Sequence, residues 1–175
     1  MAIALIALML MELLMLLFWA PVFFRTGIVL FNQRIAASPA DLAQLSLIGL
    51  EYDLPTDKWP SLVFRVLPDG TVAFRESFAP GFGGRYFPLM HGQLVVDKRR
   101  REVRVIGRCS SFALALTLLV LPIILVRPVA WPMLGSLLVF HIGHRIQLRR
   151  YAEVVEAVRA RVRLEFPRRF VDPGR

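Results

Sequence analysis

The chain has 175 residues, 56% of them hydrophobic, with 22 Lys+Arg against 13 Asp+Glu and a formal net charge of +9. That length excludes two sizeable hydrophobic cores, and an apolar share above the usual half or so departs from an ordinary soluble composition. The single cysteine, Cys109, excludes an intrachain disulfide and any paired-cysteine metal or redox site.

Residues 1–24, "MAIALIALMLMELLMLLFWAPVFF", offer about 22 apolar positions against the roughly 20 that cross a bilayer core. The run lacks the basic start of a signal peptide and exceeds its apolar core in length. It ends in "FWAPVFF" and Arg25, the pattern of an interfacial aromatic anchor with a basic stop. The expectation is a retained first transmembrane helix.

Residues 25–109 read as a small cytoplasmic α+β domain. In "ASPADLAQLSLIGL", Ser38 is the expected N-cap of a short helix, Pro39 its first residue and Gly49 its stop, with Leu42, Leu45 and Ile48 apolar. "SLVFRVLPDGTVAFRESF" alternates about a Pro68-Asp69-Gly70 turn and predicts a β-hairpin. The glycine-rich "APGFGGRYFPLMHG" lacks phosphate-loop spacing despite Arg85, and reads as a connection whose Phe82, Tyr86 and Phe87 dip into a membrane interface. "QLVVDKRRREVRVIG" predicts a second hairpin, with Val103 and Val105 inward, Arg104 outward and the basic run in its turn. Four strands or more are expected.

Residues 110–126 carry only Ser and Thr as polar side chains and predict a second transmembrane helix, with Ser110 and Ser111 at its N-cap. Residues 127–146 predict a turn, with Arg127, Trp131 and prolines, and a third transmembrane helix. In 147–175, Tyr151, Val154, Val155, Val158 and Val162 recur at helical spacing, Arg149 and Glu153 form an i,i+4 pair, and Pro167 ends the helix. This amphipathic helix covers the sheet or lies on the bilayer; the sheet is preferred because it otherwise lacks apolar cover.

The expected fold class is therefore an integral membrane α+β protein. It has three transmembrane helices, one N-terminal and then a helical hairpin, a β-hairpin-rich cytoplasmic domain and a C-terminal amphipathic helix. Basic residues beside each span place the N-terminus outside and the central domain and C-terminus in the cytoplasm, in a multi-pass protein of a bacterial inner membrane.

Lys98, Arg99, Arg100 and Arg101, with Arg104 and Arg108, read as a topology signal or as a site for anionic lipid headgroups, at roughly 1 kcal/mol per side chain near the surface. No aromatic interleaving or RNA-binding motif accompanies them, so no nucleic-acid partner is expected. Glu12 is a carboxylate in the middle of the first apolar run, where it is costly. Counting helical rise puts His141 within roughly 5 Å of it in depth, and His144 shares a helical face with His141. A proton relay or metal site of Glu12, His141 and His144 is weighed against a protonated Glu12 hydrogen-bonded to a neighbouring helix or to another subunit, and the second is preferred.

No catalytic constellation, metal motif or cofactor motif is legible. The expected function is that of a non-enzymatic membrane protein whose cytoplasmic domain binds a protein partner or anionic phospholipid at the inner surface. The alternative is an accessory subunit of a larger membrane complex, such as a transporter, docking through Glu12; a membrane-bound enzyme stands third. Expected partners are the lipid bilayer, anionic phospholipid, and a membrane-protein partner or a second copy of the chain.

Overall fold

Five segments join into one antiparallel sheet in the computed structural model, which describes residues 2–55, 61–77, 90–126 and 134–164. They are β1 (Val29–Ala36), β2 (Leu62–Val66), β3 (Val72–Glu76), β4 (Met90–Asp97) and β5 (Glu102–Cys109), in spatial order β1-β5-β4-β3-β2. Both expected hairpins form: Phe64 faces Phe74 across the first, and Val96 faces Val103 across the second. Sequence reasoning missed β1. Its "NQR" centre is polar, and a register shift between Val29 and Phe31 breaks its alternation.

The two-residue period puts Val72, Phe74, Met90, Leu94, Val103 and Val105 on one face, all buried. Helix α5 (Leu134–Leu164) lays Tyr151, Val154, Val155, Val158 and Val162 over them, as the helical spacing predicts. This cover is the end of one 31-residue helix, so the boundary drawn between residues 146 and 147 falls inside a continuous element. The expected Arg149–Glu153 pair is replaced by Arg150–Glu153 at 2.9 Å. Arg149 faces outward, whereas Arg150 is on the buried side and also donates to the Pro55 carbonyl at 3.0 Å, so its charge is not left alone in the interior.

Helix α3 (Pro39–Gln44) begins as expected, with Ser38 and Asp41 forming a reciprocal capping box. It stops before Gly49, which instead takes φ +74 ahead of a 3-10 turn at Leu50–Asp53. Arg161 of α5 fixes this loop by bonding Asp53 Oδ2 at 2.5 Å and the carbonyls of Ser46, Ile48 and Gly49 at 2.7, 2.9 and 2.7 Å.

The other sheet face is covered at one end by α2 (Pro21–Arg25), where Phe23 and Phe24 join Trp19, Leu67 and Ala73 in a second buried cluster. The remaining helices are α1 (Ala2–Leu17) and α4 (Ser111–Val126), which pack against each other.

The expected membrane-spanning architecture is not found. Among the described residues no helix is long and apolar enough to cross a membrane. At 1.5 Å per residue, the 16 residues of α1 and of α4 each rise about 24 Å, against a hydrocarbon core of about 30 Å. The first apolar run is broken by Pro21, which cannot continue a helix and biases Ala20 toward extended backbone (ψ 121). The chain closes α1 with a Schellman motif: Ala20 N–H bonds the Met15 carbonyl at 2.9 Å, Trp19 N–H bonds that of Leu16 at 3.4 Å, and Trp19 takes φ +54. The third apolar run is part of α5, which turns polar after Ile142 and ends on the sheet. The three-span fold class, the multi-pass inner-membrane placement and its orientation are corrected accordingly. The turn at 127–133 and the glycine-rich loop, with Phe82, Arg85, Tyr86 and Phe87, lie outside the described residues.

Gly92 lets the Phe74 ring lie flat on β4: a Cβ there would meet ring carbons 2.1 to 2.4 Å away, and Phe74 is fully buried. Gly92→Ala is expected to destabilise the fold by about 1–3 kcal/mol, read as a lower urea midpoint at unchanged slope.

Candidate functional site

Helix α4 leaves β5 directly, and its exposed first N–H groups need acceptors. Glu12 supplies them. Its Oε1 accepts from Ser111 N–H at 2.8 Å and Phe112 N–H at 3.2 Å, while Oε2 accepts from the Ser110 hydroxyl at 2.5 Å. Ser110 Oγ in turn accepts from Ala113 N–H at 3.3 Å, and the Ser110 carbonyl accepts from Leu114 N–H at 3.2 Å. All four leading N–H groups are satisfied, and a carboxylate sits at the positive end of the helix dipole.

This arrangement places Glu12 against a neighbouring helix of its own chain. No hydrogen bond or ion pair joins it to His141 or His144 among the described residues. His141 is exposed and His144 half-buried; burial, then His141 and Arg145, hold His144 below the ordinary histidine range. No group of three His, Cys, Asp or Glu among the described residues is arranged to hold a metal ion. Burial, reinforced by nearby Glu12, pushes the Cys109 thiol up, which opposes the thiolate that reactivity requires.

The predicted basic cluster divides. Lys98 to Arg101 are exposed in the β4–β5 turn, where Asp97 Oδ1 accepts from the N–H groups of Arg99 and Arg100, both at 3.0 Å. Arg104 turns back to Glu102 at 2.5 Å. Arg108 ties the sheet to α2, donating to the Phe24 carbonyl and to Gln93 Oε1, each at 3.1 Å. Arg108 is therefore a structural tie. The turn lies a full strand from α4: eight residues of β5 at about 3.3 Å each separate them by about 26 Å. Ten residues of sequence had made them look adjacent.

Near α4 the surface is apolar instead. Ile3, Ile6, Leu10, Leu13, Leu14 and Leu17 of α1 are exposed, with Ile3 at 84%. So are Leu118, Leu121 and Val126 of α4, the last at 77%, and Leu134, Leu138, Val139 and Ile142 of α5. Arg145 and Arg149 follow on α5, both exposed.

Sequence reasoning also missed His91, which is buried among Phe23 (ring centroids 4.2 Å apart) and Phe24 (5.7 Å), with Nε2 at 3.2 Å from the Thr26 carbonyl. Its position on the β4 face opposite Leu94 was legible from alternation, but the α2 aromatics that cover it were assigned to a membrane anchor. A cavity of about 20 Å³ beside it, lined in part by Phe23, Met90 and Ser110, has room for one water and none for an organic substrate.

No protein-family model matches this chain, and neither a curated protein nor a solved structure does so.

Burial pushes His91 down to about 4; the Thr26 carbonyl opposes this and the Arg108 charge adds to it. Below the ordinary value of 6.5 the unfolded chain binds the proton that the folded chain refuses, so stability rises with pH in that window. Stability is expected to fall by about 3 kcal/mol in total between pH about 6.5 and about 4 through this group, then level off. His91→Phe is expected to flatten that segment of the denaturation-midpoint profile. Separately, Glu12→Ala is expected to cost about 1–3 kcal/mol by orphaning buried donors, and Glu12→Gln, which keeps one acceptor oxygen, less; chemical denaturation reads both.

Proposed function

We propose that this chain is a non-enzymatic binding protein whose apolar helices dock on an anionic lipid surface, holding the sheet domain beside it. The observation that carries the reading is the band of large apolar side chains exposed on α1 and α4, from Ile3 to Leu17 and from Leu118 to Val126. Isolated exposed leucines need no explanation, but many large apolar side chains exposed on two packed helices mark an interaction surface. Arg145 and Arg149 border the band where α5 turns polar, and Arg25, exposed beside its partner Asp69, lies at the end of the α1–α2 corner. Apolar burial with a basic margin is the chemistry by which a peripheral surface engages anionic lipid.

Docking does not require crossing. A helix of about 24 Å can lie against, or enter, one side of a bilayer while its apolar atoms leave water. The reading of an accessory subunit docking through Glu12 is less well supported, because both carboxylate oxygens are engaged within the chain.

Vesicle flotation tests the proposal. The protein is expected to rise with phosphatidylglycerol-containing vesicles, and Ile6→Glu with Leu121→Glu is expected to reduce the floated fraction about tenfold while circular dichroism stays unchanged. Neutralising Arg145 and Arg149 is expected to remove the preference for anionic over neutral vesicles. A wild-type protein that stays at the bottom of the gradient contradicts the proposal.

A further inference from the structure

The tip of the β4–β5 hairpin collects positive charge that the fold does not use. Lys98, Arg99 and Arg101 are exposed and make no ion pair among the described residues. Arg100 reaches Asp97 only at 3.9 Å. Arg34 of β1 is also exposed and stands opposite Arg104 in the register; Arg104 is held by Glu102 at 2.5 Å, whereas Arg34 has no ion pair among the described residues. Arg101 adds a backbone cost. It takes φ +54, a conformation that glycine or asparagine adopts more easily than arginine. A turn selected for folding alone would place glycine there and would not concentrate four cations beside Arg34. The Arg101 backbone cost and the exposed cations gathered at one tip point to an interaction that uses them.

We propose that this tip, Lys98 to Arg101 with Arg34, is the docking point for an acidic segment of a partner polypeptide. Three observations select that occupant. The tip lies about 26 Å along β5 from the start of α4, beyond the roughly 8 Å over which headgroup charge is felt at physiological salt, so a bilayer on the apolar helices leaves it free. The aromatic side chains Trp19, Phe23 and Phe24 gather around His91 and Arg75 at the opposite end of β4, and none of them sits at the tip to stack a nucleobase. The guanidinium forks of Arg99, Arg100 and Arg101 match planar carboxylates, and β1 is an edge strand along which an extended segment can lie beside Arg34. The proposal goes beyond lipid docking and uses different residues, so one can fail without the other.

The test measures fluorescence anisotropy of a labelled octaglutamate peptide with the full chain in mild detergent, and in parallel of an oligothymidylate of equal charge. Octaglutamate is expected to bind in a salt-sensitive manner. Arg101→Gly is expected to raise the melting temperature and weaken the peptide several-fold, a pairing that a purely structural turn does not produce. Neutralising Lys98, Arg99 and Arg34 together is expected to weaken it at least about tenfold, with vesicle flotation unchanged. Neutralising Arg149, Arg159 and Arg163 instead is expected to leave peptide binding within twofold. Equal losses from both triple variants would reduce the effect to net charge and overturn the proposal. So would tighter binding of the oligothymidylate through the same residues, or loss of flotation in the tip variant, which would assign the tip to nucleic acid or to lipid.

Discussion

The carboxylate of Glu12 closes the N-terminus of α4, and the position of the apolar helices relative to the sheet follows from that contact. Helix α4 is continuous with β5 through Cys109 and Ser110, so whatever fixes its first turn fixes its direction. Apolar contact between α1 and α4 is non-directional and tolerates sliding or rotation of one helix on the other. Three donors converging on one buried carboxylate do not tolerate it. A charge that looks expensive in an apolar helix thus supplies the register of the helix pair, whose outward leucines stay exposed.

A second constraint sits about two helical turns further on. Trp19 holds φ +54 at the end of α1, where glycine is the usual residue, and pays for that conformation with contacts. It stacks on Phe24 at 5.5 Å and lies under the Arg75 guanidinium at 4.8 Å. The reversal that follows drops Phe23 and Phe24 onto the sheet beside His91. The aromatic cluster that resembles an interfacial anchor in the sequence is a buried core here.

Much of the sheet was legible because local signals agreed. Alternation located β2 through β5, the Ser38–Pro39 pair located α3, and valines at helical spacing located the cover supplied by α5. The failures share a physical origin. Apolar run length overestimated helix length, since Pro21 and the Schellman turn shorten the first run and α5 carries the third into the sheet. Strand β1 was hidden by its polar centre, which an edge strand open on one face accepts. The candidate site was half legible. Glu12 was recognised as needing a partner and Ser110 as a cap, but their meeting depends on a helix pairing no sequence period encodes. The basic cluster was seen, and its distance from α4 was not, because sequence separation says nothing of the rise of an intervening strand.

These features give the molecule two chemically distinct ends, apolar at α1 and α4 and cationic at the β4–β5 turn, held apart by the length of the sheet. The claim that the apolar end meets lipid is tested most directly with nitroxide labels at Ile6, Leu121 and Arg99, read by collision with oxygen and with a water-soluble nickel complex. On addition of anionic vesicles, the labels at Ile6 and Leu121 are predicted to gain oxygen accessibility and lose nickel accessibility, while the label at Arg99 stays in water. Labels at Ile6 and Leu121 that remain as accessible to nickel as before would contradict the account.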